Sequence, residues 1–287
     1  MSMVSKPLGI AIHRIPNQPN NPRILVADNR NSRLLIVRLF APSISPWTGS
    51  PCGSFHNPSD VATHWATRNV FVADTDSNRI LKFTPSSTPP GSWPCSAWGI
   101  FGSDKGQFNG PVALAIDNSS GDVYVSDKGN NRIQKFNGNG EFIMEFNNFW
   151  STGMAVDLDQ NVYVSVAALH KVFKFTPDFK LIPEWDPVGT SAITFRYPHG
   201  IAVDRKNDVY VVDSGHFEVK KISEEGVYLP RPSGLPWGGL GTSAGKFRLP
   251  YGITYDVNIQ RIFVSDSSLH RIQIFNEDGS HVDTRVL

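Results

Sequence analysis

Val123-Tyr124-Val125-Ser126-Asp127-Lys128-Gly129-Asn130-Asn131-Arg132-Ile133-Gln134-Lys135-Phe136 joins two strand-like runs through a polar turn. Side chains alternate across a strand, so a run such as Val123-Tyr124-Val125, apolar at every position, has no face left for water and must be covered on both sides. The same run recurs as Ile24-Leu25-Val26, Val70-Phe71-Val72, Val162-Tyr163-Val164, Val209-Tyr210-Val211 and Ile262-Phe263-Val264. Its middle residue is aromatic everywhere except at Leu25, which places a large ring at the same point of each repeat.

Upstream of each run lies an opening: Pro7-Leu8-Gly9, Pro58-Ser59-Asp60, Pro111-Val112-Ala113, Ser151-Thr152-Gly153, Pro198-His199-Gly200 and Pro250-Tyr251-Gly252. Successive openings are 51, 53, 40, 47 and 52 residues apart. Short strands and turn residues at that period, with no helical periodicity, predict a propeller whose repeat is one four-stranded antiparallel blade. The fold class is therefore all-β, a six-bladed β-propeller, read as one domain over residues 1–287 with blades starting near 7, 58, 111, 151, 198 and 250. Pro42, Pro46, Pro94, Pro183, Pro230 and Pro232 follow the third strands, which suits an edge strand, so each blade runs from an inner first strand to an outer last one. Ser280 to Leu287 makes the last outer strand.

With 287 residues, 40% of them hydrophobic, the chain can bury a large core. A formal charge of +1 argues against a strongly basic nucleic-acid module, although a neutral total can hide a polarised surface. No stretch reaches the roughly 18 apolar residues of a membrane span, and Met1-Ser2-Met3-Val4-Ser5-Lys6 does not read as a signal peptide. A soluble, monomeric, cytoplasmic chain is the expectation. Cys52 and Cys95 are the only cysteines and read as two free thiols, with a disulfide between neighbouring loops as the alternative.

The quoted unit, and Val72-Ala73-Asp74-Thr75-Asp76-Ser77-Asn78-Arg79-Ile80, resemble the NHL repeat. Gly106-Gln107-Phe108-Asn109-Gly110-Pro111 and Gly245-Lys246-Phe247-Arg248-Leu249-Pro250 are similar to the G-x-F-x-x-P start of that repeat. The resemblance implies a six-bladed scaffold that binds proteins or RNA, often as the substrate-selecting end of a ubiquitin ligase. No RING-like Cys and His cluster lies in this sequence, so ligase activity would have to come from elsewhere.

Asp28, Asp74, Asp127 and Asp266 close second strands and are followed five residues later by Arg33, Arg79, Arg132 and Arg271, close enough across a turn to pair. Blade four has Val166 and Lys171 instead, and blade five keeps Asp213 but carries Glu218, so both should have altered loops. Val166-Ala167-Ala168-Leu169-His170 is apolar for a turn, either covered by a neighbour or part of a contact surface.

The loops leading into inner strands and those joining second to third strands should share one face around the channel mouth, the default place for a partner. The candidate binding residues there are His56, Trp150, Arg196, Tyr197, His199, His216, Arg248 and Tyr251, since aromatic and Arg side chains are the usual anchors. A metal-dependent lyase propeller would need several histidines converging on zinc, yet only His199 occupies a position before the glycine slot, with His216 in a neighbouring loop. A calcium-dependent lactonase would need inward oxygen ligands, and Asp60 is the sole acid in those slots. No catalytic residue, metal or cofactor is therefore assigned. Arg30, Arg33, Arg79, Lys128, Arg132, Arg196 and Arg248 fall on the same face and keep RNA as an alternative, but Asp28, Asp74, Asp76 and Asp127 stand beside the first five. The reading is a non-catalytic module for a protein or peptide partner.

Overall fold

The computed structural model describes residues 7–14, 22–40, 43–86, 90–183, 185–186 and 194–287. The fold is a six-bladed β-propeller, with three blade sheets and a two-stranded ribbon in residues 4–150 and three blade sheets in residues 151–287, two compact units. Blade three shows the pattern in full: an inner strand Pro111–Ile116, then Val123–Asp127, Arg132–Phe136 and an outer strand Phe142–Asn147. Five blades have four strands. Blade four has three among the described residues, Gly153–Val156, Val162–Val166 and Lys171–Phe175, followed by a single bridge from Phe175 to Leu181. The last outer strand is His281–Val286, within the expected span.

Every residue of the second strands Val70–Asp74, Val123–Asp127, Val162–Val166 and Val209–Asp213 is buried, as runs without a polar face require. In residues 4–150 Trp47, Phe55, Phe83 and Trp93 pack into one core, with Trp47 and Phe83 centroids 4.6 Å apart. A buried side chain of that size contributes about 1.5–3 kcal/mol. Inner strands of neighbouring blades approach backbone to backbone. A Cβ on Gly153 would lie 2.3 Å from the His199 carbonyl oxygen, and one on Gly200 would lie 2.7 Å from that of Tyr251. The recurring glycine slot is thus a packing requirement.

Where the second strand carries Tyr in place of Phe, its hydroxyl must be satisfied inside the sheet. Tyr163 donates to Asp157 at 3.1 Å and Tyr210 to Asp204 at 2.9 Å, both from the turn that precedes the strand. Lys174 and Lys221 cross from the third strand to lie over those rings, and Lys135 lies over Tyr124. The aspartates are in turn balanced by these lysines, with Lys174 at 3.8 Å from Asp157 and Lys221 at 3.5 Å from Asp204.

Two expectations are corrected. Cys52 and Cys95 are not free thiols: they form a disulfide across a sequence separation of 43. It ties the ribbon of Gly49–Ser50 and Gly53–Ser54 to Cys95–Trp98, the outer strand of blade two. The turns of blades four and five are also not altered in backbone. Ala167–Leu169 forms the same 3-10 turn as Thr75–Ser77 and Lys128–Asn130, and its closing residue His170 is left-handed like Asn78 and Asn131. Blade five turns through Ser214 to a left-handed Phe217. The composition of these turns differs while their path does not. Among the described residues no helix is long and apolar enough to cross a membrane.

Candidate functional site

In blades two, three, five and six the aspartate that ends the second strand fixes the loop leading into the inner strand of the same blade. Asp127 accepts a hydrogen bond from the Asn109 amide at 2.7 Å, Asp213 from the Arg196 amide at 2.7 Å, and Asp266 from the Arg248 and Leu249 amides at 3.1 and 3.0 Å. Asp74 does the same for the amide of His56. These carboxylates are completely buried, so each needs a positive partner. Arg33, Arg79 and Arg132 supply it through Nε at 2.7, 2.8 and 2.9 Å, and Arg271 lies 3.7 Å from Asp266. Arg132 then reaches the carbonyls of Ser103, Asp104 and Gln107, and Arg271 those of Thr242, Ser243 and Lys246. The pair is a clamp that holds the incoming loop by its backbone.

Blade five achieves the same clamp with a different residue. Glu218 stands where the arginine would be, and Lys220, two positions on and on the same face of the strand, bonds Asp213, the Thr194 carbonyl at 2.8 Å and Glu218 at 2.9 Å. Blade four has no clamp: Val166 is buried and apolar, and Ala168, Leu169 and His170 are exposed, so the apolar turn is not covered.

The predicted site residues fall in both units. His56 and Trp150 belong to residues 4–150; His56 Nδ1 lies 2.8 Å from Ser77 Oγ, and Lys128 sits 5.1 Å over the Trp150 ring. The other six belong to residues 151–287. Tyr251 and His199 bring their rings to 4.3 Å, and His199 Nδ1 lies 2.8 Å from the Tyr197 carbonyl oxygen. Tyr197 packs edge-on against His170 at 4.5 Å and donates its amide to His170 Nδ1 at 3.0 Å. His170, unlike the others, was seen in the sequence only as part of an apolar turn. Tyr197 is 49% exposed and left-handed, with φ 52°, at the place where blade two has Asn57 and blade three Gly110. The side chains of Arg196 and Arg248 are exposed, with no carboxylate partner among the described residues.

The profile of the NHL repeat family matches residues 108–136 and 195–222, which cover the third clamp and the fifth. The chain carries NHL repeats. NHL repeat-containing protein 3 of Mus musculus is 27% identical over 186 residues, which is 58% of this chain and 51% of that protein. Peptidyl-glycine alpha-amidating monooxygenase A of Xenopus laevis is 28% identical over 172 residues, 56% of this chain and 17% of that protein. The chain thus matches about half the length of the first relative and less of the second. A solved streptogramin B lyase superposes over 100% of the chain and 85% of its own, with a TM-score of 0.64 at 12% identity, a likeness of fold alone.

Within this NHL propeller, Asp213, His216 and Glu218 place their ligand atoms within 4.8 Å of one another. The group is not a metal centre in waiting, because the Lys220 ammonium already sits among the carboxylates and His216 Nδ1 is bonded to Asp213 at 2.8 Å. His199 is engaged elsewhere, against Tyr251 and the Tyr197 carbonyl. Asp60 lies in the slot beside Gly9 and accepts the amides of Val61 and Leu114 at 2.9 and 2.8 Å. Burial pushes its carboxyl up to about 7, and both oxygens are committed to backbone. Sequence reasoning found the Asp–Arg pairs but not what they do. Their recurrence 17 or 18 residues after His56, Asn109, Arg196 and Arg248 was the available signal.

Proposed function

We propose that this chain is a recognition module that takes a protein or peptide segment on the loops of residues 151–287 gathering Arg196, Tyr197, His199, Arg248 and Tyr251. One observation carries the reading: Arg196 and Arg248 have clamped backbones but guanidinium groups with no carboxylate partner among the described residues. Arg and aromatic side chains held on a rigid frame are the usual anchors of a binding surface. His216, bonded to Asp213, lies at the edge of this group. His56 and Trp150 are left outside it. The RNA alternative is weakened because three of the seven cations expected to serve it, Arg33, Arg79 and Arg132, are tied to aspartates and carry little uncompensated charge. The disulfide favours an oxidising compartment over the cytoplasmic one expected from sequence.

A peptide library selected on the purified protein tests the reading. Replacing Arg248 and Tyr251 together by Ala is expected to leave the thermal midpoint within a few degrees and to weaken selected peptides by at least about tenfold, or ~1.4 kcal/mol. Unchanged affinity in the double variant removes the site.

A further inference from the structure

Three arginines and a histidine meet at the other end of blade one from its Asp28–Arg33 clamp. Across the sheet His13 pairs with Arg23, and Arg23 pairs with Arg38, so the three stand in a row over the ends of the first three strands. Directly paired residues project from the same face, and like charges so placed repel. Blade two adds a fourth group. Thr63 donates to the Ile12 carbonyl at 2.7 Å, which sets the turn after Thr63 beside His13, and in that turn Arg68 donates its amide to the His64 carbonyl at 2.7 Å. Arg68 is left-handed there, with φ 62°.

No carboxylate pairs with Arg23, Arg38 or Arg68 among the described residues, and the residues of this unit outside the described ones include no Asp or Glu. His13 is 1% exposed, and neither of its ring nitrogens finds hydrogen-bond geometry among the described residues. Burial first, then the charges of Arg23 and Arg68, hold its imidazole down to about 4, so it adds no positive charge near neutrality. Burial and the charge of Arg38 likewise lower Arg23. Asp117 acts on His64, where burial outweighs it, and the Asp117 carboxylate is already held by Ser119 and Ser120.

We propose that Arg23, Arg38 and Arg68 form a binding site for an oxyanion of the phosphate or sulfate type. Guanidinium forks match such oxygens in pairs, and a bound dianion would turn the mutual repulsion of the three arginines into attraction. Its residues belong to 4–150, whereas those of the proposed recognition loops belong to 151–287.

Thermal unfolding of the intact protein in inorganic phosphate, inorganic sulfate or phosphoserine, each matched in ionic strength with chloride, tests this. The wild-type midpoint should rise saturably with phosphate, while R23Q and R68Q should show at least about a tenfold weaker response. In chloride alone R23Q should melt at or above the wild-type temperature, since it removes a like-charge pair. A stronger response to phosphoserine than to phosphate would place the group on a polypeptide, and an equal or weaker one would identify a free ion. If R23Q fails to fold, R68Q, which lies on a turn, decides alone. Equal responses in wild type and variants would reflect general exclusion of these salts from protein surface and would overturn the site, as would no response at all.

Discussion

Residues 4–150 and 151–287 build the same loop from the same buried aspartate and present opposite chemistry on it. In blades two and three the clamped positions are His56 and Asn109, and their surroundings close upon themselves: Asn57 bonds Asp76, His56 meets Ser77, and the Asn130 amide reaches the Gly102 carbonyl at 2.8 Å. In blades five and six the same positions hold Arg196 and Arg248, exposed and without a carboxylate partner among the described residues, next to Tyr197 and Tyr251. A frame whose energy is stored in a buried ion pair tolerates any side chain on the loop it holds, so the surface can change while the clamp persists.

The comparison breaks hardest at the clamp itself. Asp127→Ala leaves Arg132, almost wholly buried, with Glu145 at 2.9 Å in place of its fully buried carboxylate and frees the Asn109 amide, and is expected to cost about 3 kcal/mol by chemical denaturation, the low end for a broken buried pair. A loss below about 1 kcal/mol would mean the ion pair is incidental to the fold. Next comes the disulfide, which only the first unit possesses. Cys52→Ala with Cys95→Ala should cost about 2–4 kcal/mol, and hydrogen exchange should quicken within residues 44–98 while residues 151–287, which contain no cysteine, are unchanged. Loss of protection spread through both units would contradict the assignment. The smallest effect on stability is expected at Tyr197. Asn is the residue of blade two at this left-handed position and suits it better than a bulky ring, so Tyr197→Asn should change stability by no more than about 0.5 kcal/mol. Its effect should fall on binding of the selected peptides, and a variant that binds them as the wild type does would strip Tyr197 of its role.

Much of the fold was legible because the repeat samples the same physical requirement six times. Val123-Tyr124-Val125 and its counterparts cannot be solvated on either face, and Gly153 and Gly200 leave room for nothing beyond hydrogen. The Asp127–Arg132 pair was visible from a spacing of five residues across a turn. Less visible was the replacement in blade five. Glu218 suggested a broken pair, whereas the strand's two-residue alternation carries Lys220 to the same aspartate. The disulfide was missed for a different reason. Whether Cys52 and Cys95 meet depends on the paths of two connections 43 residues apart, and no local pattern fixes those paths. Of the candidate residues, His56 and Trp150 belong to residues 4–150, where His56 meets Ser77 and Lys128 lies over the Trp150 ring.

Local periodicity alone determined the number of blades, the order of strands within each and the position of every clamp aspartate, since alternation and turn chemistry act over a few residues. Folding in three dimensions decided which charges remain uncompensated: Lys220 carried to Asp213, Arg196 and Arg248 without carboxylate partners among the described residues, Arg23 set against Arg38. A charge is neutralised by what lies within a few ångströms in space, and for these side chains strand pairing and loop path, which no turn spacing records, set that neighbour.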